Sequence, residues 1–171
     1  MRKKIKKAFS EKVIANRVAK LGKRIRKDAG SGEIFLLGIL RGASCFLTDL
    51  LRAIPGDVSY GFIDVVRDVS DTEVATAMEI DFLNWINITG KNVYVLKDVV
   101  STGVIENYLL TQLRQKNPAE LRLVALLDRP DLRTIDLNPD YSLFKVDKGA
   151  FVGYGLELEG KHANLPYIGR M

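Results

Sequence analysis

The residues of this chain best suited to chemistry lie in one run, residues 93–105, which reads Val-Tyr-Val-Leu-Lys-Asp-Val-Val-Ser-Thr-Gly-Val-Ile. Apolar and β-branched residues lead into Lys97 and Asp98, and Ser101-Thr102-Gly103 follows two residues later. The pattern predicts a buried strand, a tight turn and the start of a helix. A helix start presents unpaired N–H groups and the positive end of the backbone dipole, and both favour phosphate. Gly103 permits close backbone approach, and the hydroxyls of Ser101 and Thr102 can donate to phosphate oxygens. The turn lacks the Gly-Lys-Ser/Thr ending of a nucleoside-triphosphate loop. Asp98 adds an acceptor for hydroxyl groups at the strand end. A plain helix N-cap also explains the Ser-Thr pair, so phosphate binding rests on reading the turn together with Asp98.

The elements around this run set where it must sit. Val13/Ile14, Val18, Leu21 and Ile25 recur at helical spacing, with Ser10 as the N-cap and Gly22 as a weak point inside the helix. Residues 34–40 are continuously apolar, as in a parallel strand buried on both faces. Arg41-Gly42 forms a turn. Phe46, Leu47, Leu50, Leu51 and Ile54 trace the next helix, which Pro55-Gly56 stops. Residues 58–66 read as a strand, 67–79 as a mobile loop or irregular hairpin, and 78–86 as a returning strand. Thr89-Gly90 then turns into the strand at 93–99. Ile105, Leu109 and Leu113 give a helix ending before Pro118. Residues 121–127, 141–146 and 151–154 are further strands. Strands alternating with helices predict an α/β fold with a mainly parallel sheet covered on both faces. Such sheets bind ligands beyond the carboxyl ends of their strands, where the turns at 41–42, 98–104 and 128–130 all fall.

Composition narrows the classes. The 171 residues suffice for one domain with a real core, and 47% are hydrophobic. No apolar stretch reaches the roughly 18 residues of a membrane helix, and the N-terminus lacks a signal-peptide pattern. The single cysteine, Cys45, excludes an intramolecular disulfide framework, fits a cytoplasmic home, and reads as a buried thiol beside Phe46 and Leu47. The single histidine, His162, leaves no His/Cys metal cluster and reads as a surface residue. Residues 1–28 hold twelve Lys/Arg against two acids, within a chain of net charge +5. That segment reads chiefly as a solvated helix face, with nucleic acid as the sharper alternative.

The run at 93–105 resembles the phosphoribosyl-diphosphate (PRPP) loop of purine phosphoribosyltransferases. Further motifs extend the resemblance over nearly the whole chain: Leu40-Arg41-Gly42, then Leu126-Leu127-Asp128-Arg129-Pro130. Phe151-Val152-Gly153-Tyr154-Gly155-Leu156-Glu157 and Asn164-Leu165-Pro166-Tyr167-Ile168-Gly169 complete it. The chain is similar to hypoxanthine/guanine phosphoribosyltransferases. The resemblance implies one type I phosphoribosyltransferase domain over 1–171, with a core at about 30–130. A small hood would come from the N-terminal helix and residues 140–171. It implies purine salvage, in which a purine nitrogen attacks the ribose carbon of magnesium-bound PRPP and pyrophosphate leaves. A homodimer or homotetramer is implied as well.

By the same resemblance, Arg41, Gly42, Lys97, Asp98, Ser101, Thr102 and Gly103 bind PRPP or its phosphates. Arg129, Phe151 and the main chain of Val152 hold the purine base or the base of a nucleoside monophosphate. Glu157 is the acid linked to Mg2+. Several positions depart from the family pattern. The family ends its strand in two acids, where this chain has Lys97-Asp98. Its candidate proton acceptor falls on Ser101, a poor base near neutral pH. A later phosphate-loop Thr falls on Ile105, the stacking aromatic on Ala150, one place before Phe151, and a pyrophosphate-binding Arg on Ala163. The lid residues Ser-Tyr fall on Arg67-Asp68 by gap-free counting. These changes imply weakened activity, or a non-catalytic nucleotide-binding homologue whose basic N-terminal helix contacts a partner or RNA.

Overall fold

The computed structural model describes residues 4–64 and 86–171. The expected lid positions Arg67-Asp68 and loop 67–79 lie outside the described residues, as does the expected strand at 78–86 except for Ile86.

Strand β1 (Lys6–Phe9) leads into helix α1 (Glu11–Ala29). Ser10 caps that helix by accepting a hydrogen bond from the Val13 N–H at 3.4 Å. Five strands then form the central sheet: β2 (Ile34–Ile39), β3 (Val58–Ile63), β4 (Asn92–Val100), β5 (Glu120–Asp128) and β6 (Tyr141–Lys145), in spatial order β3-β2-β4-β5-β6. Every neighbouring pair is parallel. Helix α2 (Ser44–Ala53) links β2 to β3, and α3 (Val104–Arg114) links β4 to β5.

Alternation along the strands builds two cores. Leu36, Tyr94, Leu96, Val124 and Leu126 face α1 and α2. Leu37, Val93, Val95, Leu123 and Ala125 face α3, which supplies Leu109, Leu110 and Leu113. A strand covered on both faces can be apolar throughout, and all six residues of β2 are buried.

The connections set the functional edge. From β2 the chain crosses to β3 on one side, whereas from β4 it crosses to β5 and β6 on the other. The order of strand addition therefore reverses between β2 and β4, and a crevice opens beyond their carboxyl ends. The Leu40–Gly42 turn and the 101–103 turn flank that crevice.

A second sheet of three antiparallel strands, ordered β1-β8-β7, is made from β1, β7 (Phe151–Val152) and β8 (Ile168–Arg170). It joins both chain ends and forms the small hood over the crevice.

Two sequence expectations change in the structure. Cys45 is exposed, not buried, because the helical phase that turns Phe46 and Leu47 inward carries Cys45 out. Several arginines of the basic segment have structural partners. Arg26 donates to the carbonyls of Pro55 and Asp57, both at 2.8 Å, and ties α1 to the α2–β3 turn. Arg17 donates to the Leu143 carbonyl and lies over the Phe144 ring at 4.3 Å. Tyr141 donates to Asp28 at 2.7 Å; this bond holds the Asp28 carboxyl below its usual range, while burial and the same bond push the tyrosine up.

Gly22 is a packing requirement. A Cβ there would lie 2.5 Å from the Ala53 carbonyl oxygen, at the crossing of α1 and α2. Gly22→Ala would gain about 1 kcal/mol of helix propensity. Overpacking against a backbone atom costs about 1–3 kcal/mol, so the net effect is destabilising. A lower midpoint in thermal denaturation is the expected result.

Candidate functional site

Beyond β2 and β4 lies a cavity of about 350 Å³, lined by Arg41, Gly42, Asp64, Asp98, Phe151 and Glu157 among others. Five of these were singled out from sequence. Asp64 was not: it directly follows β3, the second parallel strand in chain order, whereas the sequence reading ran that strand on to residue 66. The lining joins core turns to hood residues, so chain segments more than fifty residues apart meet there.

Asp98 organises the floor. Its Oδ1 accepts the Val99 N–H at 2.8 Å and lies 3.0 Å from the Lys97 ammonium. Its other oxygen occupies space that only glycine leaves free: a Cβ on Gly42 would come within 1.9 Å of Asp98 Oδ2. Opposite, Arg41 Nη2 pairs with Glu157 Oε1 at 3.4 Å, spanning from core to hood. The Arg41 side chain is 82% exposed, so this contact contributes little to stability and both groups remain available to a ligand. Gly155 closes the hood side with φ 91°, where an added Cβ would meet the Gly42 carbonyl oxygen at 2.8 Å.

Not every expected residue reaches the lining. Lys97 stays beside Asp98. Ser101, Thr102 and Gly103 form the adjacent turn, with Gly103 at φ 85° and Thr102 Oγ1 accepting the Val104 N–H at 3.5 Å. The hydroxyl thus takes part in starting the helix. Arg129 is turned to Asp131 at 3.3 Å and to the Gly149 carbonyl at 3.4 Å, tying the loop after β5 to the hood. Val152 is fully buried and pairs with Gly169 through its main chain. Phe151 does border the cavity, so the one-residue shift from Ala150 leaves an aromatic edge at the site.

Sequence reasoning missed a charged layer beneath the turn. Asp128 and Arg133 form a buried ion pair, and Arg133 also donates to the Ser101 carbonyl at 2.8 Å. Glu106, in the first turn of α3, points to the buried face of the helix. Its carboxyl is pushed up, chiefly by burial, with Lys97 and Arg133 opposing the shift and Asp98 adding to it. The helical phase shared with Leu109, Leu110 and Leu113 was the signal for its burial.

Oxygen ligands suit a hard cation, and Glu157 and Asp98 offer carboxylates to this cavity. Among the described residues no three His, Cys, Asp or Glu side chains form a metal-holding group. Magnesium is commonly held by one or two carboxylates together with phosphates of its substrate. No helix among the described residues is long and apolar enough to cross a membrane.

A phosphoribosyl transferase domain model matches residues 8–159. The chain belongs to this family. It is 30% identical over 174 residues to the hypoxanthine-guanine phosphoribosyltransferase of Streptococcus thermophilus, covering 99% of this chain and 94% of that protein. The crystal structure of a hypoxanthine-guanine phosphoribosyltransferase from Bacillus anthracis superposes with a TM-score of 0.85 at 31% identity, covering 98% of each chain. These relatives place the chain among the purine phosphoribosyltransferases, and the parallel five-stranded sheet flanked by helices is the fold the sequence implied; α1 and β6, expected in the hood, pack in the core. The chain also matches the bifunctional protein TilS/HprT of Listeria monocytogenes at 30% identity, and spans only 25% of that protein's length.

Two outcomes follow from this geometry. Gly42→Ala is expected to displace the Asp98 carboxylate and lower stability by about 1–3 kcal/mol, as read by denaturant unfolding. The folded chain holds the Glu106 proton more tightly than the unfolded chain does. This group therefore costs stability above the ordinary carboxylate range, and the cost falls away as pH drops. Glu106→Gln should melt higher than wild type at pH 7, with the gap narrowing toward acid pH in parallel thermal scans.

Proposed function

We propose that the crevice binds PRPP with magnesium and a purine, hypoxanthine or guanine, and transfers the phosphoribosyl group slowly in purine salvage. The observation that carries this reading is the convergence of Arg41, Gly42, Asp98, Phe151 and Glu157 on one cavity where the order of strand addition reverses. Asp98 accepts from the ribose hydroxyls, and the 101–103 turn with the α3 start holds the 5′-phosphate. Arg41 and the Gly42 main chain meet the pyrophosphate. Phe151 borders the base, with the Val152 main chain and Arg129 reading its edge. Glu157 and Asp98 hold the magnesium, which supplies neutralisation of the leaving pyrophosphate.

In the reaction the purine nitrogen forms a bond to the ribose C1′ while the C1′–O bond to pyrophosphate breaks. The ribose gains positive charge on the way, so fixed anions beside it lower the barrier. Lys97, 3.0 Å from Asp98, offsets that effect. The purine proton has only the Ser101 hydroxyl at the family's acceptor position, and loss of a positioned base costs about 10²–10⁴ in rate. Slow transfer follows from both. The Lys97–Asp98 contact equally favours the second reading, a nucleotide-binding protein without turnover. Kinship with these enzymes extends the proposal to a homodimer or homotetramer in the cytoplasm, and light scattering checks the assembly.

Steady-state pyrophosphate release with hypoxanthine and guanine tests the proposal. Slow turnover abolished by Asp98→Ala is expected. Lys97→Met should raise kcat by a few fold, the scale of a partly exposed ion pair worth about 0.2–1 kcal/mol. Tight nucleoside monophosphate binding with no pyrophosphate release would remove the salvage role and leave the binding reading.

A further inference from the structure

The segment after β5 grips the 101–103 turn from one side. The Arg129 N–H donates to the Val100 carbonyl at 2.9 Å. Arg133 Nη1 donates to the Ser101 carbonyl at 2.8 Å. The Thr134 N–H donates to the Thr102 carbonyl at 3.1 Å, and the Thr134 hydroxyl reaches the same oxygen at 3.3 Å. Three consecutive carbonyls are thus held by one strap.

A trans peptide is planar, and its C=O and the following N–H point in opposite directions. Fixing the carbonyls of Val100, Ser101 and Thr102 therefore fixes the N–H groups of Ser101, Thr102 and Gly103 on the side away from the strap. None of these three N–H groups has a protein acceptor among the described residues. Successive free N–H groups in a turn make an anion-binding concavity, and this one continues into the start of α3.

The strap has its own anchor. The Arg133 side chain is only 10% exposed and pairs with the buried Asp128. One guanidinium fork thus satisfies Asp128 and Ser101 together, which a lysine ammonium on a flexible stem does not reproduce. Each Nη of Arg133 is committed to one of these partners on a side chain only 10% exposed, so its effect passes through the turn.

We propose that Arg133, anchored by Asp128, is a positioning residue that with Arg129 and Thr134 presets three backbone N–H groups for a phosphate. The proposal rests on the phosphate-binding reading of the turn and adds the device that shapes it. Arg133 selects for the phosphate end of a nucleotide, not for its base.

Calorimetric titration with inosine 5′-monophosphate and with inosine separates these effects. Wild type should bind the nucleotide more tightly. Arg133→Lys should weaken the nucleotide about tenfold, the scale of one hydrogen bond to a charged group, and change inosine less than about twofold. Thermal melting of each variant confirms that it is folded. Thr134→Val, which removes one donor to the Thr102 carbonyl and leaves the buried pair intact, carries the same comparison if Arg133→Lys does not fold. Equal losses for nucleotide and nucleoside, or unchanged nucleotide affinity in a folded variant, overturn the positioning role while the phosphate site stands. A wild type that binds the nucleotide no better than inosine overturns the phosphate site, and the role of Arg133 with it.

Discussion

The Asp98 carboxylate fills the space where Gly42 lacks a side chain. That close approach brings the ends of β2 and β4 together at the point where the order of strand addition reverses. Any larger residue at position 42 pushes either the carboxylate or the turn out of place. The other site groups take their positions from this contact: Arg41 extends from the same turn to Glu157 in the hood, and Gly155 packs onto the Gly42 carbonyl. The site is thus an arrangement of backbone approaches first and of charges second.

Two opposing charge layouts meet around it. On the open side, Arg41 and Glu157 form an exposed pair that contributes little to stability. On the closed side, Arg133 and Asp128 are buried, and breaking such a pair leaves an uncompensated charge. The exposed and the buried ion pairs are thus the same kind of interaction at different depths. Lys97 and Glu106 complicate the boundary. One places a cation next to Asp98, and the other places a carboxyl where burial opposes its ionisation.

Much of the fold was legible because its signals are local. Continuous apolar runs at 34–40 and 93–96 marked two of the strands, since a parallel strand with two covered faces needs no polar face. Ser-Thr-Gly marked the strand-to-helix turn through glycine's left-handed backbone. Other residues were misread where the answer depended on a partner distant in sequence. Gly22 looked like a defect until Ala53 was seen against it. Arg26 looked like free charge until it met the carbonyls beyond α2. Cys45 looked buried because its neighbours are apolar, but one residue along a helix turns the side chain by about 100°.

By itself the sequence determined that this is an α/β chain with a strand-to-helix turn after residues 93–100, and its motif order determined the family. Local periodicity and turn chemistry suffice for that, because each acts within a few residues. Only the tertiary structure decided which residues share the cavity, that Arg129 turns to Asp131 and Gly149, and that Arg133 grips Ser101. Those outcomes depend on strand order and on space left by glycine at a distant crossing. Neither is encoded in the spacing of neighbouring residues.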